Sequence, residues 1–323
     1  MQNNSYSSLE KSLVATLCYF DVFDYPLTLM EIWKWLFDES NSKRYSLSEI
    51  RETLENNQAI SVKIGSEEGF YFLKGRKAIV KTRKQRYQTA EGKMKKAIRV
   101  ANILRYIPFV RMIAVCNNLA YSNAGKLSDI DFFIIVSHSR LWQTRFFVSM
   151  VTHLMKMRRH NDFISDRICL SFYITDNHLD LEQLMIIPVD PYFIYWFGQL
   201  VPIYDNQGYF SKLLSANKWI YKYLPNLVIN KPVQRRKVED TKWSLGVKKI
   251  QEIFLGGAMG SFLEKRLKTV QKRQMIRNKK SKQWEQNTAV MIDDDILKFH
   301  ENDRRRQYAE RFNNKLKKEL IQN

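Results

Sequence analysis

The chain has 323 residues, 45% of them hydrophobic and 13% aromatic, which excludes a disordered protein and leaves room for roughly two or three small cores. Its 53 Lys and Arg outnumber 33 Asp and Glu, and the net charge of +20 suits polyanionic partners: RNA, DNA, nucleotides or anionic lipid surfaces. Cys18, Cys116 and Cys169 are far apart and show no CxxC spacing, which argues for a reducing compartment and against a disulfide framework or zinc knuckle.

The first elements announce themselves by their caps. Ser7 with Glu10, Thr28 with Glu31, and Ser46 with Glu49 each fit a capping box, in which the hydroxyl takes an orphan backbone N–H and the glutamate reaches back to the cap. Each precedes apolar residues at helical spacing. Next, Ile60, Val62 and Ile64 alternate, 66–69 turns, and Phe70 and Phe72 alternate again, the pattern of a β-hairpin. Three helices and a hairpin predict a winged helix-turn-helix over 1–75. Its third helix carries Glu49, Glu52 and Glu55 against a lone Arg51, a poor match to phosphates, so a structural or protein-docking wing fits better than a DNA reader.

A basic connector follows over 76–108. The stretch 74–99 holds eleven Lys and Arg and a single acid, Glu91, and is either a solvated helix face or a phosphate rail. Beyond it, "MIAVCNN" and "DIDFFIIV" predict strands, "RLWQTRFFVSMVTHLMKMRR" an amphipathic helix, and "RICLSFYIT" another strand. The aromatic stretch 189–224 predicts helices packed on that sheet. Residues 226–323 form a basic helical C-terminal region with a second basic block from Lys265 to Lys282. There, Asp293–Asp295 are expected to cap a final charged helix.

Asp129 and Asp131 are the acidic pair with chemical character. Residues two apart on a strand project from one face, and two neighbouring carboxylates resist ionisation unless a cation sits between them. Oxygen-ligated Mg²⁺ answers that need. The five histidines show no HxH or HxxxH spacing, and no P-loop or GxSxG elbow is present.

The stretch "NNLAYSNAGKLSDIDFFII" resembles the nucleotidyltransferase fold of the DNA polymerase beta superfamily: an apolar strand, Gly-Ser, about ten residues, then Asp-x-Asp and an apolar run. A winged helix, this domain and a helical tail also resemble uncharacterised bacterial nucleotidyltransferase domain-containing proteins. The resemblance implies an α+β chain: winged helix-turn-helix, a nucleotidyltransferase-type mixed sheet with flanking helices over 109–225, and the helical C-terminal region. It implies that Asp129 and Asp131 hold Mg²⁺ on a nucleoside triphosphate, with Asn117, Asn118 and Ser128 contacting the nucleotide. The implied activity is transfer of a nucleoside monophosphate to an acceptor. Two positions depart from the family. Asn117-Asn118 stands for Gly-Ser, and Ser171 stands at the centre of the strand that should carry the third carboxylate. A degenerate relative that binds nucleotide or RNA without catalysis is therefore the alternative.

The N-terminus has no basic segment leading into an apolar one, so no secretory signal is expected. The apolar runs 184–204 and 253–263 are broken by Pro and polar residues or fall short of the ~20 residues a membrane span takes. A cytoplasmic protein is expected.

Overall fold

The computed structural model describes residues 6–39, 44–160, 163–187, 189–228, 234–277 and 288–321. The first helix, α1 (Ser8–Asp21), is buried around its whole circumference from Ser12 onward, as a central core helix must be. After β1 (Leu27–Thr28) come α2 (Leu29–Lys34), α3 (Leu47–Asn56) and the single turn α4 (Gln58–Ser61). All three capping boxes form as their sequence predicts. The hairpin β2 (Ile64–Glu67) and β3 (Phe70–Leu73) pairs with β1 in a small sheet of order β1-β3-β2. Its first strand starts later than the Ile60–Ile64 alternation suggests. Asn57 accepts the Ile60 N–H at 3.1 Å and so caps a helical turn over Gln58–Ser61.

The long helix α5 (Ile79–Leu104) spans the basic connector. Several of its cations act as fasteners. Arg83 holds Glu31 through two hydrogen bonds of 2.7 and 2.9 Å, and Lys93 and Lys96 reach Asp166 at 2.8 and 2.7 Å.

The central sheet is mixed. β4 (Val110–Val115) runs antiparallel to β5 (Ile130–Val136), with the short α6 (Asn117–Ala120) between them, and β5 runs parallel to β6 (Ile168–Thr175) through the crossover α7 (Leu141–Leu154). Then come α8 (Pro191–Gly198), β7 (Val201–Asp205), α9 (Tyr209–Ala216), α10 (Ile220–Tyr223), α11 (Lys242–Gly256), α12 (Ala258–Ile276), β8 (Val290–Ile292), β9 (Ile296–Phe299) and α13 (Arg305–Ile321). The strand order is β7-β4-β5-β6-β9-β8. Alternate residues of β4 and β5 divide between two cores. Met112, Ala114, Phe133 and Ile135 face the layer containing α1 and α8, whereas Ile113, Val115, Phe132 and Ile134 face the layer containing α5 and α7.

Two expectations from the sequence are corrected here. The stretch 189–224 is not wholly helical, because 201–205 forms the sheet's edge strand. Pro202, which has no N–H to donate, is tolerated at such an edge. The C-terminal region is not purely helical either. Asp293–Asp295 do not cap a helix but make the turn of the β8–β9 hairpin, where Asp293 accepts the N–H groups of Asp295 (2.8 Å) and Ile296 (2.5 Å). The short β-prone runs on either side of that turn extend the central sheet. Helix α13 starts only at Arg305 and returns to α1, where Lys315 pairs with Asp21 at 2.5 Å and Phe312 packs edge-on against Tyr19. Lys279, Lys280 and Lys282 of the second basic block lie outside the described residues. No helix among those described is long and apolar enough to cross a membrane. The chain is a mixed α+β protein.

Candidate functional site

The acidic pair sits where β5 emerges from the core. Asp131 is the one residue of β5 that is not fully buried, and it lies on the side of the sheet that carries Phe133 and Ile135. Asp129 precedes the strand, and its Oδ2 accepts from Arg159 Nη1 at 2.6 Å. Arg159 is held by its own backbone, whose N–H donates to the Ile168 carbonyl at 3.0 Å at the start of β6. Its guanidinium also approaches the Cys169 sulfur at 3.6 Å.

Cys169, rather than Ser171, is the register partner of Asp131 across the parallel β5–β6 pair. Ser171, the centre of the strand, also lines the cleft but lies two residues beyond that partner, and β6 bulges just past Cys169. From Asp131↔Cys169 to Phe133↔Phe172, β6 advances three residues while β5 advances two. Ligand atoms of Asp129, Asp131 and Cys169 lie within 4.8 Å of one another.

The other expected site residues divide. Asn117 takes a left-handed φ of 55°, which asparagine tolerates better than most residues, and its Oδ1 accepts from the Tyr192 hydroxyl at 3.2 Å. Its amide side chain stands beside Asp131. Asn118 is turned to its own loop, where its Oδ1 accepts from Tyr121 OH at 2.8 Å. Ser128 likewise closes its loop, its hydroxyl donating to the Gly125 carbonyl at 2.9 Å. Asn118, Ser128 and Asp129 do not line the cleft itself, whereas Asn117 and Asp131 do. The two acids flanking β6 are already engaged. Asp166 is bound by Lys93 and Lys96, and Asp176 accepts from the His138 N–H at 2.7 Å and the Tyr209 hydroxyl at 3.1 Å.

Asn117, Asp131 and Cys169 open into a cleft of about 630 Å³. Its walls carry Arg145, Arg158, Arg159 and Arg304 alongside the acids Glu301 and Asp303, with Tyr192 and Tyr308 stacked at 5.2 Å and an interplanar angle of 16°. The segment 299–308 closes one side. It is anchored by buried Arg305, which donates to the Leu184 carbonyl at 2.7 Å and pairs with Asp190 at 3.3 Å and Asp303 at 2.7 Å. Nothing in the pattern of residues 226–323 placed that segment here, because a strand pair had to be recognised first. Arg158 and Arg159 read in sequence as the polar end of a helix. Tyr192 sits in an aromatic run that reads as core.

The electrostatics identify what the pair lacks. Burial raises the Asp131 carboxyl to about 6, and the charge of Asp129 adds to that rise. The Asn117 amide, the Cys169 thiol and Arg159 pull it back only in part. Burial and the nearby Asp131 push the Cys169 thiol up to about 12, so it is a neutral S–H at physiological pH. With Arg159 on Asp129, the demand for positive charge that remains is at Asp131, beside a protonated sulfur. Two carboxylates fit one hard divalent ion with its remaining positions left to phosphate and water. A second hard ion does not fit, because the third position offers sulfur and not oxygen. Comparisons with family models, with curated proteins and with solved structures each give no match to this chain.

Proposed function

We propose that the chain is a nucleotidyltransferase-fold protein, preceded by a winged helix-turn-helix, that binds a nucleoside triphosphate with Mg²⁺ in the cleft between β5, β6 and the segment 299–308. The observation that carries this is Asp131. Its carboxyl is raised to about 6 beside Asp129 and opens into an arginine-lined cleft, so the site is short of a cation at one point and rich in anion-binding groups around it. The antiparallel β4–β5 pair, the loop between them and the parallel strand β6 support the same reading, since the family pattern places its third carboxylate on a later strand. Asp129 and Asp131 would hold the ion, which would neutralise the pair and screen the triphosphate. Arg158 and Arg304 would take phosphate oxygens, and the Tyr192–Tyr308 wall offers a flat surface for a base.

Binding without rapid transfer is the form of this function that the geometry supports best. Cys169 stands beside Asp131 where a third carboxylate would have to lie, and Arg159 already neutralises Asp129. Nucleotidyl transfer to an acceptor is the second form, favoured by the retained pair itself. Incubation with each α-labelled nucleoside triphosphate and Mg²⁺, read for bound label and for label moved to RNA or protein, separates them. Bound but untransferred label is the expected result, and no retained label would remove both. At the N-terminus, exposed Glu52 and Glu55 on α3 favour a protein-docking wing over DNA contact.

A further inference from the structure

Helices α11 and α12 form a hairpin whose inner and outer faces are both defined by sequence. On α11 the inward stripe is Ser244, Val247, Lys248, Gln251, Glu252 and Leu255, at a spacing of three and four. The opposite stripe is also apolar, yet it faces outward: Trp243 is 74% exposed, Ile250 57%, Ile253 67% and Phe254 65%. Just past the Gly256–Gly257 junction, Met259 (62%) and Phe262 (60%) continue it on α12. Of the 20 large apolar side chains exposed among the described residues, nine lie on these two helices. That is a concentration, not the scatter normal for a protein surface.

The charge around this stripe has one sign. Between Lys242 and Ile276 there are eight Lys and Arg and two acids. Both acids are consumed inward. Glu252 accepts the Phe109 N–H at 2.7 Å and pairs with Arg111 at 2.8 Å, and Glu264 accepts the N–H groups of Trp142 and Gln143 at 2.8 Å each. Lys242, Lys249, Lys265, Arg266 and Arg273 remain exposed. The outer surface of the hairpin is therefore apolar and basic; Asp294 of the β8–β9 turn meets it only at Lys268, at 2.6 Å.

The junction is also held in place from beneath. Arg140 donates to the Gly256 carbonyl and to Ser261 Oγ, the latter at 3.3 Å. Gly260 packs so tightly that an added Cβ would lie 1.6 Å from the Leu255 carbonyl oxygen. The exposed side chains are thus presented on a braced turn.

From this we infer that the α11–α12 hairpin is a docking surface for an anionic lipid membrane, lying on it with the junction side chains in the headgroup and acyl boundary. Single protruding Trp, Phe, Ile and Met side chains rimmed by Lys and Arg are what an interfacial segment uses. An amphipathic protein helix is better held by a groove, and these side chains, 57–74% exposed, stand out from the surface instead. A nucleic acid would use the basic residues and leave Ile250, Ile253 and Met259 without a role.

The test is flotation of the full chain with vesicles of phosphatidylcholine mixed with phosphatidylglycerol, and with pure phosphatidylcholine as control. Wild type should float with the anionic vesicles alone and lose binding as salt rises. Ile253→Ser/Phe254→Ser/Phe262→Ser should weaken binding about tenfold or more, as should Lys249→Glu/Lys265→Glu/Arg266→Glu. All substituted residues except the basic ones are solvent-facing apolar groups, so unchanged thermal unfolding is expected and is checked alongside. No flotation at low salt overturns the inference, and so does an apolar triple variant that floats like wild type. A wild-type dimer that the same variant dissociates, without vesicle binding, would assign the surface to a second copy. RNA binding that depends on the apolar residues, again without vesicle binding, would assign it to nucleic acid.

Discussion

Asp131 carries opposing demands, and they give it a measurable signature. Its carboxyl is raised to about 6 in the folded chain from an ordinary 3.8, so ionisation is disfavoured by folding. The metal-free protein should therefore lose stability as pH climbs through this window, with the contribution fully present below about pH 4 and gone above about pH 6. Asp131→Asn removes the ionisation and should stabilise the metal-free protein at about pH 8, on the order of 1–3 kcal/mol by urea unfolding. The difference should vanish near pH 4. A variant less stable than wild type at pH 8 would mean that the carboxylate is satisfied by its neighbours. Mg²⁺ should follow the same group, with affinity falling roughly tenfold per pH unit below about pH 6, where the ion must displace a proton.

Cys169 is the other residue whose role is sharply testable. Because it faces Asp131 across the β5–β6 register, Cys169→Asp should supply the missing carboxylate and raise transfer of labelled nucleotide, at a cost in stability without metal. Ser171→Asp, at the strand centre where the sequence places the third carboxylate, should do less. The reverse order would mean that the β5–β6 register does not set the site.

Among the elements, those with strong local signals were the legible ones. The capping boxes, β4, β5, β6 and the amphipathic α7 follow directly from residue type and period, because each satisfies its own backbone or buries one obvious face. The strands β7, β8 and β9 were not legible. Each is at most five residues long, β7 contains Pro202, and all three depend on distant partners for their hydrogen bonds. For the same reason the sequence gives Asp129, Asp131 and Asn117 but hides Arg159, Cys169 and Tyr192, whose relevance comes from register and a returning chain end. The junction of α11 and α12 offers a test at this scale. Gly260→Ala places a methyl group against the Leu255 carbonyl oxygen, which belongs to backbone and cannot swing away. It should cost about 1–3 kcal/mol in urea unfolding. An unchanged midpoint would show that the two helices pack more loosely than described.

Across the whole molecule, the positive charge has two uses. On α5, Arg83, Lys93 and Lys96 fasten the N-terminal helices and the Asp166 turn to the sheet, so the connector is less a phosphate rail than a clamp. Around the cleft and on the outer face of the α11–α12 hairpin, cations such as Arg159, Arg304, Lys249 and Lys265 stay exposed, whereas Arg305 and Lys248 are buried and hold backbone carbonyls. The return of α13 to α1 ties the N-terminal helices to the same core, and the pairing of β9 with β6 brings the segment 299–308 to the wall of the cleft. The central claim is that Asp129 and Asp131 form a divalent-ion site for a triphosphate in that cleft. Calorimetric titration of Mg²⁺ with a nucleoside triphosphate into wild type and into Asp129→Asn/Asp131→Asn tests it most directly. Binding to wild type that requires Mg²⁺ and is lost in the double variant, with unfolding still cooperative, is the expected result. Equal affinity in both proteins would contradict the claim.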